Sequence, residues 1–96
     1  MKTLIKLMAD YQCYPLWEYD DFGLVGNLSP ESLPISQSLR DRLDFWSNLY
    51  EATLCIDDPV KSGFGSSEKE FEFKIIGEDL AKDLRDELGE RYEVIY

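Results

Sequence analysis

The apolar positions between residues 67 and 88 recur at intervals of three and four, which predicts a long amphipathic α-helix from about Ser67 to Leu88. Ser67 followed by Glu70 has the form of a capping box, and Gly89 stands where a helix commonly ends. The opposite face of the predicted helix is crowded with acidic residues. The apolar stripe consists of Phe73, Ile76, Leu80, Leu84 and Leu88.

A second amphipathic helix is predicted from about Ser36 to Leu49, after turn and helix-entry signals at Ser29-Pro30 and Leu33-Pro34. Gly77, inside the long helix, costs about 1 kcal/mol relative to alanine. Close approach to a strand or to Trp46 would explain that cost, and a tolerated defect fits equally well. The apolar face of the second helix comprises Leu39, Leu43, Phe45, Trp46, Leu49 and Tyr50.

Three segments have the composition of strands, at Thr3–Tyr11, at Ala52–Ile56 and at Tyr92–Tyr96, although the middle segment could instead be a ragged helix end. Residues 10–27 are expected to form an irregular loop with a short extended piece near 16–19, because Pro15 argues against a central strand. The predicted fold is therefore α+β in a single domain spanning residues 1–96. A sheet of about three strands, in the order β-α-β-α-β with neighbours parallel, would carry two helices on one face.

Charge narrows the class of partner. The chain has 20 acidic and 10 basic residues and a formal net charge of −10 at pH 7. This charge disfavours bare nucleic acid and anionic membranes, because phosphate contacts need Lys and Arg. It favours rapid capture of a basic protein, since opposite charges steer association. A protein whose acidity only maintains solubility fits the same composition.

The two cysteines, Cys13 and Cys55, are too few for a disulfide framework in a chain with an adequate core, so buried free thiols are expected. Lys6 interrupts the first apolar run, which therefore lacks the core of a signal peptide. No segment approaches the roughly 20 apolar residues of a membrane span. These features predict a cytoplasmic protein.

Catalytic chemistry finds little support. The chain has no histidine, which removes the commonest general base and the commonest transition-metal ligand. Paired carboxylates at Asp20-Asp21 and Asp57-Asp58 suit Mg²⁺, Ca²⁺ or acid–base work, but adjacent acids arise by chance in so acidic a chain. Asp57-Asp58-Pro59 is more typical of a turn. We expect no catalytic residue, no metal and no cofactor. The alternative is a metal-dependent catalyst that uses Asp57 and Asp58.

The segment Tyr14–Phe22 has the composition of a protein-binding surface, since aromatic residues are interleaved with acids. Interface hot spots are enriched in Trp and Tyr, and surrounding acids would select a basic partner. The same aromatic residues could instead close the open side of a small sheet. Both roles are compatible, with Trp17 turned inward and its acidic neighbours turned outward.

Several short stretches, spread over nearly the whole chain, carry a resemblance to other proteins. They are Leu7–Trp17, Leu33–Ser36, Trp46, Tyr50–Leu54, Asp57–Pro59 with Ser62–Phe64, and Glu87–Gly89. These stretches resemble a group of short, mostly uncharacterised acidic bacterial proteins. In size and charge such proteins are similar to immunity proteins of bacterial toxin–immunity pairs, including contact-dependent inhibition systems. The resemblance implies one compact domain and a protein partner.

The leading hypothesis is an immunity protein that binds a basic toxin domain, a nuclease, and blocks its active site. Acidic side chains would mimic the phosphates of the nucleic acid, with an aromatic ring stacking beside them. The rival hypothesis is a non-catalytic regulatory or scaffold domain with an ordinary cellular partner. The expected contact residues are Trp17, Glu18, Tyr19, Asp20 and Asp21, or alternatively Asp79, Asp83, Asp86 and Glu87 on the long helix.

Overall fold

A four-stranded mixed sheet forms one layer of the protein. The computed structural model describes residues 3–53 and 67–96. The strands are β1 (Thr3–Leu7), β2 (Leu16–Asp20), β3 (Gly23–Leu28) and β4 (Tyr92–Ile95), in the spatial order β3-β2-β1-β4. β1 runs antiparallel to β2 and parallel to β4, and β2 runs antiparallel to β3. The predicted α+β class is confirmed.

Two helices form the second layer, and both match their predictions. α1 spans Gln37–Glu51, and α2 spans Ser67–Leu88. α1 begins where the hydroxyl of Ser36 accepts a hydrogen bond from the backbone N–H of Leu39 at 3.2 Å. α2 ends at Gly89, whose φ of 71° is readily adopted by glycine. Short 3₁₀ turns precede α1 and follow α2.

The core lies between one face of the sheet and the two helices. Ile5 and Leu7 alternate along β1 and are buried, and Ile5 is paired with buried Val94 while Leu7 is paired with buried Leu16. Because paired residues share a face of the sheet, the helices cover that face. The helical side of the core comprises Leu39, Leu43, Trp46, Phe73, Leu80, Ala81, Leu84 and Leu88.

Trp46 is the largest fully buried side chain, and it joins the two helices. Its ring stacks on Phe73 with centroids 4.4 Å apart, and its indole N–H donates to the backbone oxygen of Phe73 at 2.9 Å. Gly77 lies beside it: a Cβ built there would be 2.8 Å from Trp46 Cζ2 and would overlap the ring of Tyr96. Close approach to Trp46 therefore explains the glycine in mid-helix, as one of the two sequence interpretations had it.

The predicted irregular loop is where the structure differs most from expectation, because residues 16–28 form a β-hairpin. Pro15 does not prevent this, since it lies immediately before β2, at the start of the strand. A register shift at Glu18/Tyr19 and two glycines in β3 obscure the alternation that would have revealed the pair. β1 also ends at Leu7 instead of Tyr11, and its pairing with β2 is antiparallel. Among the described strands, parallel neighbours are therefore found only at β1–β4.

The segment predicted as a middle strand, Ala52–Ile56, begins with a turn that follows α1. Ala52 and Thr53 form a turn at the end of α1, with their backbone N–H groups donating to Asn48 and Tyr50. They therefore belong to the ragged helix end that was the alternative interpretation. Residues 54–56 lie outside the described part of the chain, as do Cys55 and the pair Asp57-Asp58.

Candidate partner-binding surfaces

The tip of the β2–β3 hairpin exposes an aromatic ring and two carboxylates. Phe22 is 99% exposed, and Asp20 and Asp21 beside it are also exposed. The turn is held by the Asp20 carboxylate, which accepts from the backbone N–H of Phe22 at 2.8 Å, and by Gly23 with a φ of 118°. We call Asp20, Asp21 and Phe22 the hairpin tip.

Apolar side chains continue from the hairpin tip onto β3. Leu24 is 56% exposed and Val25 is 53% exposed. Burying one large apolar side chain is worth roughly 1.5–3 kcal/mol, so a fully exposed phenylalanine forgoes a substantial stabilisation. Several large apolar side chains exposed at one end of a hairpin are a feature of protein interfaces. Phe22 belongs to the aromatic–acidic segment but was not among the expected contact residues, because the exposure of a side chain is not visible in a one-dimensional pattern.

The residues predicted around Trp17 separate onto two faces of the sheet. Trp17 and Tyr19 pair with Lys6 and Leu4 of β1, so they lie together on the face that the helices leave open. Both are half-buried, and the indole of Trp17 donates to the backbone oxygen of Met8 at 2.9 Å. Glu18 pairs with Ile5 and therefore projects from the helix-covered face, where it is partly exposed.

The acids predicted on α2 also separate into two groups. Asp83 forms an ion pair with Arg42 of α1 at 2.6 Å, and Glu87 accepts from the backbone N–H and hydroxyl of Ser36 at 2.6 and 2.9 Å. Both carboxylates therefore tie the two helices together. Asp79 and Asp86 are exposed, and they make no hydrogen bond or ion pair within residues 3–53 and 67–96.

A groove of about 540 Å³ lies between α1 and the loop that joins β1 to β2. Burial and the charges of Asp41 and Glu31 raise the pKa of the Asp44 carboxyl in its wall. Burial, Asp10 and Glu51 raise the pKa of the Cys13 thiol, which favours its protonated, unreactive form at neutral pH. Cys13 is free, and it is half-buried instead of fully buried as expected. Linear spacing gave no signal for this groove, because its two walls are far apart in the sequence.

Residues 3–96 match the family model of Serratia CdiI immunity protein-like proteins. The chain belongs to this family. The match covers nearly the whole chain and confirms the resemblance to immunity proteins of contact-dependent inhibition systems. Family membership supports an immunity role in a toxin–immunity system, with a toxin as the partner, and it suggests a protein that is not a catalyst. No curated protein matches the chain.

The described part of this immunity-family protein shows neither a metal-binding cluster nor a membrane-spanning helix. Within residues 3–53 and 67–96, no group of three or more cysteine, aspartate and glutamate side chains is arranged to hold a metal ion. Neither helix in the described ranges combines the length and the apolar character that crossing a membrane requires. α2 has 22 residues, but charged side chains occupy most of its outer face.

Proposed function

We propose that this protein is the cytoplasmic immunity protein of a contact-dependent inhibition pair. It binds a basic toxin domain, a nuclease, and occludes the active site with acidic and aromatic side chains. Family membership supports the immunity role. The net charge of −10 supports a basic partner, and a nuclease has a positive groove because its substrate is a polyanion.

One observation carries the proposed mechanism: Phe22 is 99% exposed at the turn that also exposes Asp20 and Asp21. An exposed ring projecting from a rigid turn can enter a pocket at little conformational cost, because the turn is already ordered. The two carboxylates beside it would occupy positions that phosphates occupy in a nuclease groove. An aromatic anchor surrounded by charged groups has the composition of an interface hot spot.

The hairpin tip is a better docking surface than the acidic face of α2. Two of the four predicted α2 acids, Asp83 and Glu87, already bind Arg42 and Ser36 within the protein. The charge of Asp83 is balanced by Arg42, and both oxygens of Glu87 already accept a bond from Ser36, so each offers a toxin less than a carboxylate with no ion pair and one bond. Asp20 also accepts a hydrogen bond, but from its own turn, and a carboxylate has spare acceptor positions for a second donor.

Binding to the toxin encoded beside this protein's gene tests the proposal directly. Phe22→Ala and the double variant Asp20→Asn/Asp21→Asn are compared with wild type by measuring Kd and inhibition of nuclease activity. The asparagine introduced by Asp20→Asn retains the oxygen that caps the turn, so the hairpin should persist. We expect Phe22→Ala to weaken binding by at least about 30-fold, the 2 kcal/mol or more that a hot-spot truncation costs.

The matched control is Asp79→Asn/Asp86→Asn, which removes the same charge from the exposed part of α2 without touching an internal contact. Its Kd for the toxin should lie within about threefold of the wild-type value. Because both double variants remove two charges, a larger loss in the hairpin variant reflects the position of the charges and not their number. If the α2 variant loses affinity while both hairpin variants keep it, docking through the hairpin tip is wrong. Capture of the toxin without any loss of its activity would instead favour the regulatory or scaffold role.

A further inference from the structure

The groove between the β1–β2 loop and α1 has a preformed shape. The carboxylate of Glu51 accepts from the backbone N–H of Gln12 at 2.9 Å, and Gln12 has a φ of 59°. Asn27 of β3 accepts from the N–H of Tyr14 at 2.8 Å and donates to the oxygens of Tyr14 and Leu16. These bonds fix the loop against both α1 and the hairpin. A partner would therefore meet a surface that needs little ordering.

The described residues that line the groove carry negative charge and no positive charge. Asp44 and Glu51 lie seven residues apart on α1, which places them about 10 Å apart along one side of the helix. Among the described residues that line the groove, none is Lys or Arg, and no described group donates a hydrogen bond to Asp44. The raised pKa of Asp44 reflects burial and repulsion by Asp41 and Glu31. A cation entering the groove would relieve that repulsion.

The remaining wall suits a planar cation. Tyr14 lines the groove and is 49% exposed, so it offers an aromatic ring with which an incoming cation can interact. Asn48 and Gln12 also line the groove, and their side-chain amide oxygens can accept hydrogen bonds from a cation in addition to those that the carboxylates accept. A guanidinium carries five donors in one plane and stacks on aromatic rings, whereas an ammonium is a point charge that retains its water more strongly.

We propose that this groove receives an arginine side chain of the toxin. The inference rests on the proposed function and adds a second contact to it, independent of the hairpin tip. The two surfaces belong to one hairpin: Asn27 lies near its base and Phe22 at its tip. The five residues of β2 span about 13 Å, so an interface of ordinary size could include both.

The first test uses a small probe in place of the toxin. N-acetylarginine amide is titrated into the ¹⁵N-labelled protein, with N-acetylcitrulline amide as a neutral probe of the same shape. We expect saturable shifts of the backbone amides of Gln12, Tyr14 and Asn48 with the arginine probe alone. Asp44→Asn should weaken this binding by about tenfold, the change that losing one charge-assisted hydrogen bond produces. Equal shifts with both probes, or none, would overturn the inference.

Folding of the test variant can be verified independently. The raised pKa means that ionised Asp44 is less favourable in the folded state than in the unfolded state. Stability from this group is therefore highest below its ordinary pKa of 3.8 and falls as pH rises through the higher folded value. Asp44→Asn should consequently unfold at slightly higher denaturant than wild type at pH 7, and the difference should vanish at pH 3. A variant that is less stable at pH 7 would contradict this account of the groove.

The second test measures toxin binding. Asp44→Asn should raise Kd for the toxin about tenfold, whereas Glu72→Gln, an exposed acid of α2 remote from the groove, should have a much smaller effect. Toxin binding that is unchanged by Asp44→Asn but weakened by Phe22→Ala would overturn the groove assignment and leave the proposed function intact. A toxin that does not bind wild type at all would overturn the proposed function, and this inference with it.

Discussion

Gly77 shows how a single position in a helix is decided by its neighbours. In an isolated helix, alanine would be better by about 1 kcal/mol. Here the Cβ would be 2.8 Å from Trp46 Cζ2 and would overlap the ring of Tyr96. Trp46 is fully buried and stacked on Phe73, so it cannot move aside. Tyr96 is 47% exposed, so its ring has more room to move.

Gly77→Ala should therefore destabilise the protein despite the higher helix propensity of alanine. Overpacking a well-filled site costs about 1–3 kcal/mol, which exceeds the gain in propensity. After the propensity gain of about 1 kcal/mol is subtracted, we expect a net loss of up to about 2 kcal/mol, measured by urea denaturation.

The double variant Gly77→Ala/Tyr96→Ala separates the two overlaps. Removing the Tyr96 ring opens one side of the site, so Gly77→Ala should cost less in that background than in wild type. An equal cost in both backgrounds would assign the strain to Trp46 alone, and a stabilising Gly77→Ala would refute the packing account.

At the scale of elements, the start of α1 and the end of α2 share one cap. The hydroxyl of Ser36 accepts from Leu39 N–H at 3.2 Å, and the same hydroxyl and its backbone N–H donate to Glu87 at 2.9 and 2.6 Å. One serine thus satisfies the first turn of α1 and holds the last turn of α2. Glu87 was predicted to be a toxin contact, and the structure gives it this internal role instead of a free carboxylate.

We expect Ser36→Ala to cost about 1 kcal/mol or more of unfolding free energy, because the cap and the hydroxyl bond to Glu87 are lost while the backbone N–H bond to Glu87 remains. Glu87→Ala should also lower stability, whereas Asp86→Ala, its exposed neighbour, should change it little. A thermodynamic cycle between Ser36→Ala and Glu87→Ala should be non-additive.

The affinity of Glu87→Ala for the toxin tests whether Glu87 is also a contact residue. Glu87→Ala should leave Kd for the toxin nearly unchanged, since its oxygens are occupied within the protein. Additive stability effects together with a large loss of toxin affinity would return Glu87 to the list of contact residues.

At the scale of the whole molecule, charge is the dominant feature. With a formal net charge of −10 on 96 residues, the protein repels a second copy of itself and attracts a basic domain over a range set by ionic strength. The Debye length falls from about 10 Å at 0.1 M salt to about 3 Å at 1 M. Attraction between the separated proteins is therefore screened at high salt, while buried contacts in the complex are screened much less.

Association with the toxin should accordingly slow by about tenfold or more between 0.05 and 1 M NaCl, with a smaller change in the dissociation rate. Stopped-flow mixing measures both rates. The Asp20→Asn/Asp21→Asn variant should show a shallower dependence on salt than wild type. An association rate that is independent of salt would mean that the partner is not basic at its docking face.

Much of the fold could be predicted because it depends on interactions between residues that are close together in the sequence. The three- and four-residue spacing of apolar side chains determined α1 and α2, and Gly89 determined where α2 ends, since each of these signals acts within one or two turns of a helix. Net charge predicted a basic partner and the lack of histidine argued against catalysis in the same way, because composition requires no contacts. For Gly77 the sequence allowed close approach to a strand or to Trp46, or a tolerated defect, and the structure decided for Trp46.

Tertiary structure alone decided where the functional side chains are placed. The β2–β3 hairpin depends on cross-strand pairs and on a register shift at Glu18/Tyr19, and neither is visible in a one-dimensional pattern. Glu87 became an internal acceptor because Ser36, 51 positions away, folds against it. The exposure of Phe22 and the groove beside Asp44 likewise arise from segments that meet only on folding. The sequence by itself determined the helices and the charge, whereas the meeting of distant segments decided which of those charges are free to bind a partner.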